Sequence, residues 1–129
     1  MKFTIALTEL ESLLKSAGIS RPKAADTFTL FACAARVFVE FKTGIAGIES
    51  LVLSDGAVKL PVRKFIALLK TYKGTKLLTF DYGPEGLRIQ KFTMPVLGYN
   101  PNPKPPADFQ VFPTAGAPAS VQSSRESNG

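Results

Sequence analysis

Val58-Lys59-Leu60-Pro61-Val62-Arg63-Lys64-Phe65-Ile66-Ala67-Leu68-Leu69-Lys70-Thr71-Tyr72-Lys73 changes its apolar period part-way along, and that change decides the fold. Val58, Leu60 and Val62 alternate with Lys59 and Pro61, the period of a half-buried strand, and Pro61 falls near the strand's end, where a missing amide is tolerated. From Arg63 to Lys73 the period becomes helical. At about 100° per residue, Val62, Phe65, Ile66, Leu69 and Tyr72 share one side, while Arg63, Lys64, Ala67, Lys70 and Thr71 share the other. The helix is apolar behind and basic in front, and Gly74 ends it.

The same order stands at the N-terminus. Phe3, Ile5 and Leu7 alternate with Lys2, Thr4 and Ala6, and Thr8-Glu9-Leu10-Glu11 then reads as a capping box opening a helix over 9–17, with Leu10, Leu13, Leu14 and Ala17 on one side and Gly18 as its stop. Three strands follow at about 27–33, 36–42 and 46–53, in a stretch rich in β-branched and aromatic residues. Ser54-Asp55-Gly56 turns the chain into the strand Val58–Val62. Beyond the second helix, Lys76 to Tyr82 alternates as a strand, Gly83-Pro84-Glu85-Gly86 is a turn, and Leu87 to Leu97 returns extended with no obvious turn inside it. The pattern is βα followed by strands, twice, with a period of about 57 residues. It predicts an α+β fold: two βα-plus-strands repeats with two helices on one face of an antiparallel sheet.

The chain has 129 residues, 16 Lys and Arg against 10 Asp and Glu, one cysteine and no histidine. Residues 1–56 carry six basic and six acidic groups; residues 57–91 carry eight basic groups against only Asp81 and Glu85, so the whole net charge of +6 lies there. A one-signed block of this length attracts polyanions. Its plainer reading is a solvated basic face that keeps a small domain soluble. Without histidine, the usual zinc sets and the Ser-His and Cys-His nucleophile pairs lack their parts, and phosphate-cradling glycine loops and nucleophile elbows are missing too. No catalytic residue, metal or cofactor is therefore expected, and the chain is not read as an enzyme. Cys33, alone and in an apolar strand, reads as a small buried hydrophobe. No apolar run reaches the ~18 residues a spanning helix needs and no signal peptide is visible, so a cytoplasmic protein without membrane contact is expected.

After Tyr99 the composition shifts to Asn100-Pro101-Asn102-Pro103-Lys104-Pro105-Pro106 and then to a Ser, Ala, Gly and Pro mixture. One domain over 1–99 and a disordered tail over 100–129 are expected, since such a tail buries too little apolar area to offset its ordering entropy. Within it Asp108-Phe109-Gln110-Val111-Phe112-Pro113 carries two aromatics. It reads either as the remnant of an interdomain linker or as a segment that docks by adding a strand or filling a pocket.

Met1-Lys2-Phe3-Thr4-Ile5, the helix after it, and Val58-Lys59-Leu60-Pro61-Val62-Arg63-Lys64-Phe65 before a second helix together resemble the first domain of the bacterial DNA polymerase III β sliding clamp family. Ser20-Arg21-Pro22 is similar to that family's turn after the first helix, and Pro106-Ala107-Asp108-Phe109 is similar to its linker between the first two domains. The resemblance implies a DNA-clamp-like domain whose two helices line the inner wall of a ring around double-stranded DNA. Carried over by position, Arg21, Lys23, Arg63, Lys64, Lys70 and Lys73 would approach phosphates, without sequence preference. It further implies a role in DNA replication or repair and in processivity, homo-oligomerisation, and contact with replication or repair proteins. Two departures stand out: Ala34-Ala35 replaces the family's glycine-bearing turn, and family clamps carry three such domains per chain where this chain carries one. Two readings follow: a non-catalytic clamp-like domain that contacts duplex DNA as an oligomer, or a clamp-fold protein-interaction module that does not encircle DNA.

Overall fold

A computed structural model describes residues 1–106 and 110–111 of the chain. Strand β1 (Lys2–Ala6) runs directly into α1 (Leu7–Ser16), and β2 (Thr27–Cys33), β3 (Arg36–Phe41), β4 (Gly44–Glu49) and β5 (Leu51–Ser54) follow. The order then repeats with β6 (Gly56–Pro61), α2 (Val62–Lys70), β7 (Leu77–Gly83), β8 (Gly86–Ile89), β9 (Phe92–Met94) and β10 (Gly98–Asn100), and β11 (Gln110–Val111) is added at the end. The helices start 55 positions apart, at Leu7 and Val62, a slightly shorter period than the 57 read from the sequence.

The strands form two sheets where one was expected, β5-β1-β7-β8-β9 and β10-β6-β2-β3-β4-β11. Each half lends its first strand to the other half's hairpin: β1 pairs antiparallel with β7, and β6 with β2. The stretch expected as one strand over 46–53 breaks at Ser50, whose hydroxyl donates to the Thr4 carbonyl at 3.2 Å. Its first part pairs with β3 and its second with β1, so the chain passes from one sheet to the other. The 87–97 stretch divides likewise. Gln90 takes a φ of 56° to turn β8 into β9, a turn that no Gly, Asn or Asp announces, and β10 crosses to pair with β6.

The capping box expected at Thr8 and Glu11 does not form. α1 begins at Leu7 with no side-chain cap, because the Leu7 amide donates to the Lys76 carbonyl at 3.0 Å. The Val62 amide of α2 donates to the Asp26 carbonyl at the same 3.0 Å. In both repeats a backbone carbonyl just ahead of a strand satisfies the helix's first donor, so Thr8 stays inside the helix.

One core joins all of this. Phe3 and Phe80 stack at 4.6 Å, and with Ile5, Leu10, Leu13, Leu30, Leu60 and Phe65 they lie fully buried between the helices and the inner faces of both sheets. A second, smaller cluster of Phe31, Cys33, Phe38 and Ala57 lies on the opposite face of the six-stranded sheet. Phe31 and Phe38 stack there at 4.9 Å, and Gly47 is required beside them, since a Cβ at that position would come within 2.5 Å of the Phe38 ring. Cys33 is buried, as expected, and that burial raises its thiol pKa, helped by the charge of Asp55.

Candidate nucleic-acid interface

Burial divides α2 as its sequence period does. Val62, Phe65 and Leu69 are buried, while Arg63, Lys64, Ala67 and Lys70 are exposed. Phe65 fixes the helix's rotation: its ring lies 5.0 Å from Phe28 and 6.3 Å from Phe80, one partner from each sheet, which leaves the basic side toward solvent. The helix ends at Lys70, three residues before the expected end at Lys73, with Thr71 as its C-cap, and Tyr72 is tied down by its hydroxyl, which donates to the Ile89 carbonyl at 2.6 Å.

The six expected cations are all exposed and fall into three places. Arg63 Nε donates to the Pro22 carbonyl at 3.0 Å, which holds the turn carrying Arg21 and Lys23 against the first turn of α2. Arg63 is thus a tie between loop and helix as well as a charge. Lys70 and Lys73 line an open groove of about 750 Å³ between the end of α2 and the first turn of α1, where Leu7, Thr8 and Glu11 form the other wall. Lys64 sits apart from both groups. It borders an apolar hollow of about 270 Å³ lined by Pro61, Leu68, Phe92, Met94 and Leu97.

Among the described residues the ion pairs are Lys42 with Asp26 at 3.0 Å and Arg36 with Glu49 at 3.8 Å, and neither involves any of the six. Asp26 also accepts the Lys23 backbone amide at 2.8 Å. That bond, ahead of the Lys42 ammonium, holds its carboxyl pKa below the ordinary value. Lys76, which sequence reasoning did not single out, joins Lys70 and Lys73 in the groove. Its place comes from the pairing of Lys76 with Leu7 at the β1–α1 junction, a contact between residues 69 positions apart that no local spacing signals. Among the described residues no three His, Cys, Asp or Glu side chains gather as a metal site would need, and no helix is long and apolar enough to cross a membrane.

Solved structures match this arrangement. A Caulobacter crescentus DNA polymerase III β structure superposes with a TM-score of 0.61 at 20% identity, covering 90% of this chain and 33% of that one. The chain has the fold of a sliding-clamp domain. A second structure, a DNA polymerase sliding clamp from Caulobacter crescentus, gives 0.61 at 19% identity over 90% of this chain and 34% of that one, and a third, of the beta sliding clamp from the same organism, gives 0.55 at 20% identity. This clamp-type domain therefore spans about a third of the length of the clamps it matches. No family model and no curated protein sequence matches it. In the clamp-type frame, the groove bordered by Lys70, Lys73 and Lys76 runs between the two helices of one repeat pair, and the apolar hollow with Lys64 lies beside the open edge of β9.

Proposed function

We propose that this chain is a non-catalytic clamp-type domain that meets the phosphates of duplex DNA through α2 and works as an oligomer in replication or repair. The observation that carries the reading is the set of Lys64 and Lys70 on the solvent side of α2 and Lys73 in the turn just past its end, all exposed and outside any ion pair among the described residues, within a clamp fold. Ammonium groups on a fixed helix attract a phosphate backbone through counterion release and read no bases, which suits a contact that must slide. No aromatic stands on the exposed side of α2, so base stacking is not part of the contact. A body with a radius of gyration of about 13 Å cannot encircle a duplex alone, so encirclement requires several copies.

Binding to a random-sequence duplex, read by fluorescence anisotropy, tests the proposal. The triple variant Lys64→Glu, Lys70→Glu, Lys73→Glu is expected to lose at least about tenfold in affinity while keeping its circular dichroism and melting temperature, because all three side chains lie outside the core. Arg63 is left intact for its bond to Pro22. Wild-type affinity in the variant rejects DNA contact through α2.

The second reading, a protein-interaction module, draws on a different observation. Phe92 (57% exposed) and Leu97 (60%) stand beside the Leu68 hollow and the open β9 edge, an apolar, strand-edged surface of the kind that proteins pair through. Phe92→Ser, which removes the apolar ring without placing a charge beside Lys64, separates the two readings: it weakens self-association or partner capture and leaves single-copy DNA contact unchanged.

A further inference from the structure

Asn100 pairs with Ala57, Ala57 with Phe31, Phe31 with Phe38, Phe38 with Gly47, and Gly47 with Val111. These pairings are one straight row across the whole six-stranded sheet. The chain leaves that row at its β10 end and rejoins the same row at its β11 end. Five strand spacings of about 4.8 Å make the crossing about 24 Å, and the eleven steps from Asn100 to Val111 reach about 34 Å in polyproline conformation. That reach covers the crossing with little to spare. The inner face is filled by the helices and the main core, which leaves the outer face.

The outer face is built for cover. Ala57, Phe31 and Phe38 in the row are 8%, 5% and 0% exposed, although they point away from both helices. The other sheet shows what an uncovered face is like. Its hairpin places Asp81 and Arg88 opposite each other, where β2 and β3 place Phe31 and Phe38, and Arg88 is exposed. Along the connection, Pro103 and Pro106 are half-buried while Pro101, Asn102, Lys104 and Pro105 are exposed. That spacing of three is the repeat of a polyproline helix lying on a surface.

We propose that the outer row of the six-stranded sheet and the edge of β4 form a docking groove for an extended, proline-rich strand, that its occupants are this chain's own residues 101–106 along the row and 110–111 at β4, and that this strap keeps β4 from pairing with a second copy. β11 adds to β4 in parallel, where every other pairing in both sheets is antiparallel, so it is an addition to the repeat pattern and not part of it. The proposal depends on no DNA contact.

The test uses the full chain with Gln110→Pro and Val111→Pro, which removes both backbone donors of β11. Cys33, 2% exposed in the outer-face cluster with Phe31 and Phe38, is the reporter. Under native conditions its reaction with a small thiol reagent is expected to rise at least tenfold, amide exchange at Ala46 to Ile48 to quicken, and a synthetic peptide of residues 101–113 to reverse both. By light scattering, self-association is expected at protein concentrations at least tenfold lower than for the unaltered chain. Unchanged Cys33 reactivity overturns the strap, and freed Cys33 with unchanged association overturns its blocking of β4. Pro103→Gly with Pro106→Gly, which loosens the strap without touching β4, provides the same readout should the first variant misfold.

Discussion

The two halves of this domain agree inside and disagree outside. At the buried helix positions Leu7, Leu10 and Leu14 are answered by Val62, Phe65 and Leu69, each 55 places on, because both helices must fill the same layer between two sheets. At the solvent positions nothing imposes such agreement. Thr8 is answered by Arg63 and Glu9 by Lys64, so a mixed-charge helix faces one that carries only basic charge. The outer faces of the sheets part in the same way, with Phe31 and Phe38 on one and Asp81 and Arg88 on the other. Packing sets what the halves share and leaves the outer positions free to differ.

The most disruptive way to challenge that comparison is to cut the shared layer. Phe65→Ala removes a fully buried ring that touches both sheets and is expected to cost about 3–5 kcal/mol in denaturant unfolding. Leu10→Ala at the matching place is expected to cost about 2–5 kcal/mol, and a negligible loss there breaks the equivalence of the halves. A smaller effect sharpens the difference between the outer faces. Gly47→Ala drives a methyl into the Phe38 ring and is expected to lose about 1–3 kcal/mol, whereas Thr93→Ala, on the exposed counterpart face, is expected to be nearly neutral by the same measurement. Smaller again is the hairpin turn of the first half, where Ala34 and Ala35 hold φ of 53° and 60°. Left-handed backbone disfavours alanine and suits Asn-Gly, so Ala34→Asn with Ala35→Gly is expected to raise stability by about 1 kcal/mol, seen as a higher melting temperature.

The sequence made the helices, the repeat and the basic side of α2 legible because each is a local periodicity. Phe65, Leu69 and the exposed Lys64 and Lys70 fall where the 3.6-residue period puts them. The division into two sheets was not legible, since the crossing at Ser50 depends on a hydroxyl bond to Thr4 and on β1 choosing β7. Nor was the missing capping box, because Leu7 finds its acceptor at Lys76. Of the site, the cations on α2 could be read, but not that Arg63 is spent partly on Pro22 or that Lys76 completes the groove. The tail segment read as a docking element lies partly outside the described residues; its described part, Gln110–Val111, pairs with β4.

The central claim, that the one-sided charge of α2 meets phosphates, is tested most directly by the salt dependence of duplex binding, measured for the unaltered chain and for the Lys64→Glu, Lys70→Glu, Lys73→Glu variant. Log affinity is expected to fall linearly with log salt for the unaltered chain, and the variant's slope is expected to be shallower by about 0.9 for each phosphate contact removed, about 2.7 in all. Two parallel lines would contradict the account, because they would place the DNA contacts somewhere other than α2.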